Sequence, residues 1–236
     1  MTPIFTQDLL LEDVVILFLL CLILNNGNPM KCMLIRNVEL WGLIYLGDYM
    51  FYSERLTYRI LTENDFDLFY ELYSNGDVMR YAYRNNLKTL VEAENAFKDI
   101  LTMQLDSNGT QYIASLQNSN VDIGIVDYEV IIKNENSGIF EIGYFIKPNY
   151  WGNGYGTEMG KAIIEFLFKN YNIHKIVASC NANNRSSEDI MKKIGMEYEG
   201  VFKKTRYKNG NWDDEIEYGL LRDEWEKRLH KDYPNL

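Results

Sequence analysis

The chain has 236 residues, room for one full catalytic domain with an appendage rather than two equal domains, since domains run about 100 to 200 residues. Hydrophobic residues make up 47% and charged residues 25%, the balance of a globular protein rather than a disordered or fibrous one. Lys and Arg total 24 against 34 Asp and Glu, for a net charge of -10. No basic run is present to neutralise a row of phosphates, which argues against a nucleic-acid partner; a negative field serves solubility in the usual case and would also concentrate cationic ligands such as amines.

Residues 1–49 differ from the rest. Val14 to Leu24 is a run of eleven apolar residues, short of the roughly 20 needed to span a bilayer. Asp8, Glu12 and Asp13 stand where a secretory signal carries positive charge. Neither a membrane span nor a signal peptide is expected, and the segment reads as an apolar N-terminal extension. Asn25-Asn26-Gly27-Asn28-Pro29 is a turn. The apolar stretch from Met33 to Leu46 could dock on the main domain or on a second subunit of a homodimer. Cys21, Cys32 and Cys180 are widely spaced without a C-x-x-C pair, so neither a disulfide framework nor a zinc site is expected, and a reducing cytoplasm is the natural compartment. With only His174 and His230, triad or metal chemistry has little material, and no metal is expected.

Residues 50–236 form the main domain. Leu56 to Leu61 predicts a strand, and Thr62-Glu63-Asn64-Asp65 opens a helix carrying Phe66, Phe69, Tyr70 and Tyr73 at helical spacing. Val91 to Leu105 predicts a second amphipathic helix, and Gln111–Leu116 and Val121–Val130 two strands. Gly138 to Ile146 is a fourth strand, Thr157 to Asn170 a helix, Lys175 to Cys180 a fifth strand and Ser186 to Ile194 a helix stopped by Gly195. Tyr198–Lys204 and Glu215–Leu221 close the domain as a strand pair.

Trp151-Gly152-Asn153-Gly154-Tyr155-Gly156-Thr157 lies between the fourth strand and a helix. There, exposed backbone N–H groups and the positive end of the helix dipole hold an anion. A dinucleotide fingerprint needs Gly or Ala at Thr157, and a P-loop needs Lys then Ser or Thr after its last glycine, whereas Gly160-Lys161-Ala162 lacks the hydroxyl. A simple connecting turn is the plain alternative.

The stretch Glu141 to Glu158 closely resembles the signature of the GNAT acetyltransferases, where Q/R-x-x-G-x-G/A follows the fourth strand. Trp151 takes the Q/R place, as in the ribosomal-protein N-terminal acetyltransferase branch. The resemblance continues through Asn184-Arg185-Ser186-Ser187 (N-x-x-S), Met191 to Met196, the Glu54-Arg55-Leu56 start and the Lys208 to Asp214 hairpin, covering residues 50 to about 225.

That resemblance implies an α/β GNAT fold, a mixed twisted sheet splayed between its fourth and fifth strands with flanking helices and acetyl-coenzyme A wedged in the split. The pantetheine arm would pair with Tyr144, Phe145 and Ile146, and the pyrophosphate would sit in the cradle of Trp151, Gly152, Asn153, Gly154, Tyr155, Gly156 and Thr157. Asn184 would reach the arm, a helix N-cap being its alternative role. Glu141 is the implied base. Many relatives carry a tyrosine where Met191 stands; the implied substitute for the leaving-group acid is Ser187, as in ribosomal-protein acetyltransferases that use the serine of N-x-x-S near the sulfur, a serine that only caps the helix start being its alternative role. The implied reaction is direct acetyl transfer to a primary amine, first a protein or peptide N-terminus and second a small amine such as a polyamine or aminoglycoside. A non-catalytic acyl-coenzyme A sensor is the third reading.

Overall fold

The computed structural model describes residues 50–106, 108–134 and 137–232, with the backbone alone for residues 230–232. The apolar extension at 1–49, with its Val14–Leu24 run and Asn25–Pro29 turn, lies outside the described residues.

Eight strands form one sheet: β1 (Phe51–Tyr52), β2 (Leu56–Ile60), β3 (Gly109–Leu116), β4 (Asp122–Lys133), β5 (Gly138–Ile146), β6 (Lys175–Asn181), β7 (Glu197–Lys208) and β8 (Asn211–Leu221). Their order is β1-β2-β3-β4-β5-β6-β8-β7. The two-residue β1 is absent from the sequence reading, so the fourth and fifth strands of that reading are β5 and β6. Every neighbouring pair is antiparallel except β5 and β6, which are parallel. A parallel pair needs a crossover, and helix α3 supplies it.

Five helices flank the sheet: α1 (Phe66–Ser74), α2 (Leu90–Leu105), α3 (Tyr155–Asn170), α4 (Arg185–Lys193) and α5 (Arg222–Asp232). Thr89 and Glu92 close a capping box at the start of α2, satisfying amides that a helix end otherwise leaves without partners. Leu68, Phe69, Leu72 and Tyr73 of α1 and Ala93, Ala96, Phe97 and Ile100 of α2 pack with Ile113 and Ile125 on one sheet face. Met159, Ile163, Phe166 and Leu167 of α3, with Met191 of α4, pack on the other face with Tyr112, Val126, Phe140 and Ile142. Ile125 and Val126 thus enter opposite cores, as strand alternation requires. Each large side chain so buried stabilises the fold by about 1.5–3 kcal/mol.

Helix α5 has no clear apolar stripe in its sequence and was not expected. Trp225 stacks on Phe168 with ring centroids 5.0 Å apart. Arg222 donates to the carbonyls of Phe168 (2.9 Å), Tyr171 (2.7 Å) and Ile173 (2.8 Å), a cation placed at the carbonyl end of α3. Among the described residues no helix is long and apolar enough to cross a membrane.

The start of α3 is clasped by the β1–β2 turn. Glu158 accepts from Ser53 Oγ (2.7 Å), Arg55 N (2.6 Å) and Arg55 Nε (2.7 Å). The same guanidinium donates to Asn153 O at 3.1 Å and lies 4.3 Å from the Tyr155 ring centroid. Burial alone would raise the Glu158 pKa, but the bonds from Ser53 and Arg55 outweigh it and hold the carboxyl below the ordinary range.

Two predictions follow from this packing. A Cβ at Gly124 would lie 2.3 Å from the Phe145 carbonyl oxygen on the neighbouring strand, so Gly124→Ala should lower stability in chemical denaturation by about 2–3 kcal/mol. An unchanged midpoint would contradict the close β4–β5 approach. Glu158 has a depressed pKa, so its contribution is present above the unfolded carboxylate pKa and lost as the pH falls through the folded value. Glu158→Gln should therefore lower Tm at neutral pH by an amount worth about 1–2 kcal/mol, and the gap from wild type should close in acid. A gap that persists in acid would sink the assignment.

Candidate active site

The central feature is the place where β5 and β6 part. They pair at Ile139↔Lys175, Phe140↔Ile176 and Glu141↔Val177, and the register ends there. On its other side β5 stays with β4 as far as Gly124↔Ile146, and β6 stays with β8 as far as Asn181↔Glu215. The β6-facing edge of β5 is therefore without a strand partner from Ile142 to Ile146. Such an edge is a template for an extended ligand, because main-chain polar groups seek partners. This is the splay expected between the fourth and fifth strands. Trp151 folds back on it, its Nε1 donating to Ile146 O at 2.7 Å.

Beyond Ile146 the chain makes a short 3-10 turn at Pro148–Tyr150 and enters α3. Gly152 and Gly154 hold φ of +75° and +81°, a left-handed backbone that glycine adopts without penalty. Gly154 is the N-cap of α3, and no side chain caps that end. The first amides and the dipole of a sixteen-residue helix are thus offered to an anion. Asn153 Nδ2 donates to Trp151 O at 3.0 Å, so its side chain shapes the loop itself. Tyr155 lies under Arg55, and Thr157 sits half-buried in the first helical turn. A Cβ at Gly156 would come within 2.7 Å of Ile190 Cδ1, which ties the start of α3 closely to α4. An unpaired strand edge leading into an uncapped helix start fits an elongated ligand with an anionic end, as coenzyme A is.

The face covered by α3 and α4 brings together three predicted residues. The Tyr144 hydroxyl lies 3.0 Å from Ser187 Oγ. Asn184 is the N-cap of α4, its Oδ1 accepting from Ser187 N (3.3 Å) and Ser186 Oγ (2.9 Å). Its oxygen is thus engaged in the helix, as the alternative reading held, and its Nδ2 amide is what remains for a ligand. Met191 is buried in the core. The phenol beside Ser187 is that of Tyr144, a residue the family resemblance implies through its main chain alone. Burial raises the Tyr144 pKa, the bond to Ser187 opposing, so the hydroxyl keeps its proton. Burial likewise pushes the Cys180 thiol up to about 11, which keeps it from acting as a thiolate nucleophile.

The opposite face carries carboxylates. Glu141, at the last paired position, accepts from Ser179 Oγ at 2.7 Å and so bridges β5 and β6 at the apex of the split. Burial raises its pKa and Glu129, Glu215 and Glu217 add to the rise, while Ser179 opposes it. Asp127 stands beside it and was missed by the sequence reading. The signal was available as a carboxylate inside the apolar strand Ile123-Gly124-Ile125-Val126-Asp127. Burial pushes Asp127 up to about 7, with Glu129 and Glu141 adding and the Gly143 N–H opposing.

The wall of this face includes Tyr83, whose hydroxyl donates to Glu215 and whose ring lies 3.5 Å from the Arg206 guanidinium carbon. Tyr112 is core at 2% exposure, stacked on Tyr128 and edge-on to Phe51 and Phe166. Met79 is core as well.

Known proteins match this chain over the same region. Residues 55–197 match the family described as Acetyltransferase (GNAT) domain. The Bacillus subtilis protein named Uncharacterized N-acetyltransferase YnaD is 34% identical over 73% of this chain and 97% of its own. The [Ribosomal protein uS5]-alanine N-acetyltransferase of Escherichia coli is 26% identical over 44% of this chain and 53% of its own. Spermidine N-acetyltransferase from Vibrio cholerae, solved with CoA and spermine, superposes with a TM-score of 0.63 at 21% identity, covering 72% of this chain and 98% of its own. A sheet that opens between the only parallel neighbours among the described residues, read together with a family match across most of the described domain, places the chain in the GNAT family of acetyltransferases.

Proposed function

We propose that the protein transfers an acetyl group from acetyl-coenzyme A directly to a primary amine, and that this amine is the N-terminus of a protein or peptide. The observation that carries the reading is the end of β5–β6 pairing at Glu141 and Val177, which leaves one strand edge and one helix start converging on a common cleft. Bound acetyl-coenzyme A supplies an activated acyl carbon. The main chain of Tyr144, Phe145 and Ile146 holds the pantetheine arm, and the amides from Trp151 to Thr157 hold the pyrophosphate.

Glu141 accepts the proton that the acceptor ammonium must lose before its nitrogen can attack. The Tyr144–Ser187 hydroxyl pair, on the other face, returns a proton to the leaving sulfur. The two jobs fall to groups on opposite faces of the sheet.

The protein N-terminus is favoured by the likeness to the uS5-alanine enzyme. One observation supports a second reading, a small polyamine: Glu129 and Glu141 pair across β4 and β5, and Glu215 and Glu217 follow on β8 in the same facing set. Such a row attracts compact polycations. Comparing kcat/KM for short peptides beginning with alanine or serine against spermidine and an aminoglycoside separates the two. Peptides should win by about 10-fold or more, and a preference for spermidine would move the assignment to the second reading. Coenzyme A that raises Tm while no amine is acetylated would point to the sensor. Glu141→Gln should cut kcat/KM at neutral pH by about 100-fold or more, and full retention would remove Glu141 from the chemistry.

A further inference from the structure

We infer that Asp127 is a second catalytic carboxylate, accepting together with Glu141 the proton that the attacking amine loses. This inference rests on the acetyl-transfer reading above and adds to it a residue on a different strand.

Asp127 lies on β4 directly opposite Gly143, two residues beyond the last β5–β6 pair at Glu141. Its carboxylate reaches over β5: a Cβ at Gly143 would lie 2.5 Å from Oδ1 and 3.5 Å from Oδ2, and the Gly143 N–H donates to the carboxylate. The missing side chain at 143 is therefore what gives the carboxylate its place beside the open edge. A ligand laid along that edge from Ile146 towards Ile142 passes Gly143 on its way to the last β5–β6 pair. Side chains alternate along a strand, so Asp127 and Glu141 stand on one face and Tyr144 with Ser187 on the other.

Gln111 provides an independent sign that this spot receives a donor. It is the cross-strand partner of Asp127 on β3 and is 8% exposed. Its Nε2 donates to the Tyr73 hydroxyl at 3.3 Å, while its buried Oε1 finds no donor among the described residues. A buried acceptor without a donor is costly. The register sets Asp127 across from this acceptor, where a protonated carboxyl would supply the donor.

In the step inferred, an N–H bond of the acceptor ammonium breaks, the electron pair stays on nitrogen and the proton goes to the carboxylate, which later yields it to solvent. The free pair then forms the N–C bond as the C–S bond breaks with its electrons on sulfur. The nitrogen gives its second proton to the carboxylates and so to solvent, while the sulfur gains one from the Tyr144–Ser187 hydroxyls, which solvent reprotonates, so one proton is released overall.

The charged and titratable groups around Asp127 are Glu129 on its own strand, Glu141 on β5 and Tyr73 on α1. Its base form grows in as the pH rises through neutrality, so kcat/KM should fall on the acid side with a midpoint near neutral.

Asp127→Asn tests the inference, because the amide oxygen can keep the Gly143 bond. The variant should lose about 100-fold in kcat/KM above neutral pH, keep its KM for acetyl-coenzyme A, and lose the near-neutral acid limb. Without any ligand, its Tm should rise relative to wild type as the pH is raised, since a group with an elevated folded pKa loses its stabilising contribution as it ionises. Gly143→Ala, which leaves Asp127 present but denies it the space over β5, should shift the same limb. Unchanged limbs in both variants, or a Tm difference independent of pH, would overturn the role of Asp127. If Glu141→Gln is crippled while Asp127→Asn is fully active, acetyl transfer stands and only Asp127 falls. A wild-type protein that acetylates no amine overturns both.

Discussion

Everything at this site depends on one limit in hydrogen bonding, the end of the parallel β5–β6 ladder at Glu141 and Val177. Each strand is held on its outer side, β5 by β4 and β6 by β8, over registers longer than the one they share. The outer pairings set the two directions, and the shared pairing yields where those directions diverge. On one face the opening is bordered by side chains from both strands and from α4, with Ile142, Tyr144, Ile146, Ala178, Cys180, Ile190 and Met191 belonging to one core. The split is thus supported by packing and is not a frayed end.

The same geometry divides the chemistry. One face of the sheet at the apex presents hydroxyls, Tyr144 against Ser187, whose protons burial retains. The other presents carboxylates, Glu141 tied to Ser179 and Asp127 lying over Gly143, whose pKa values burial raises. A cluster of like charges at the wall of a cleft is a cost in folding, and its presence on the acceptor side is what a cationic substrate would relieve. The proposed anion site is kept apart, at the start of α3, where Arg55 and Glu158 brace the loop.

Much of this was legible in the sequence because it depends on local rules. Gly152 and Gly154 occupy left-handed positions that few other residues tolerate, and the helix that follows shows its apolar face by period. Asn184 reads equally as a ligand contact and as a helix cap, and both readings share the Asn184–Ser187 spacing. What was not legible depends on contacts between distant segments. The two residues of β1 are too few to show alternation. Helix α5 is recognised through Trp225 on Phe168 and Arg222 at the end of α3, not through any stripe of its own. Arg55 meets Glu158 across 103 positions, and Asp127 acquires meaning only when the β4–β5 register sets it over Gly143. Tyr144 was found for its backbone and missed for its phenol, since only the fold brings Ser187 to it.

The central claim, that the unpaired edge of β5 and the start of α3 together receive coenzyme A, is tested most directly by amide hydrogen exchange with and without saturating coenzyme A. Protection should rise in two separate stretches, Ile142 to Ile146 and Gly152 to Thr157, while the β2–β3 ladder on the far side stays unchanged. Exchange that slows elsewhere, or leaves these two stretches as they were, would contradict the account.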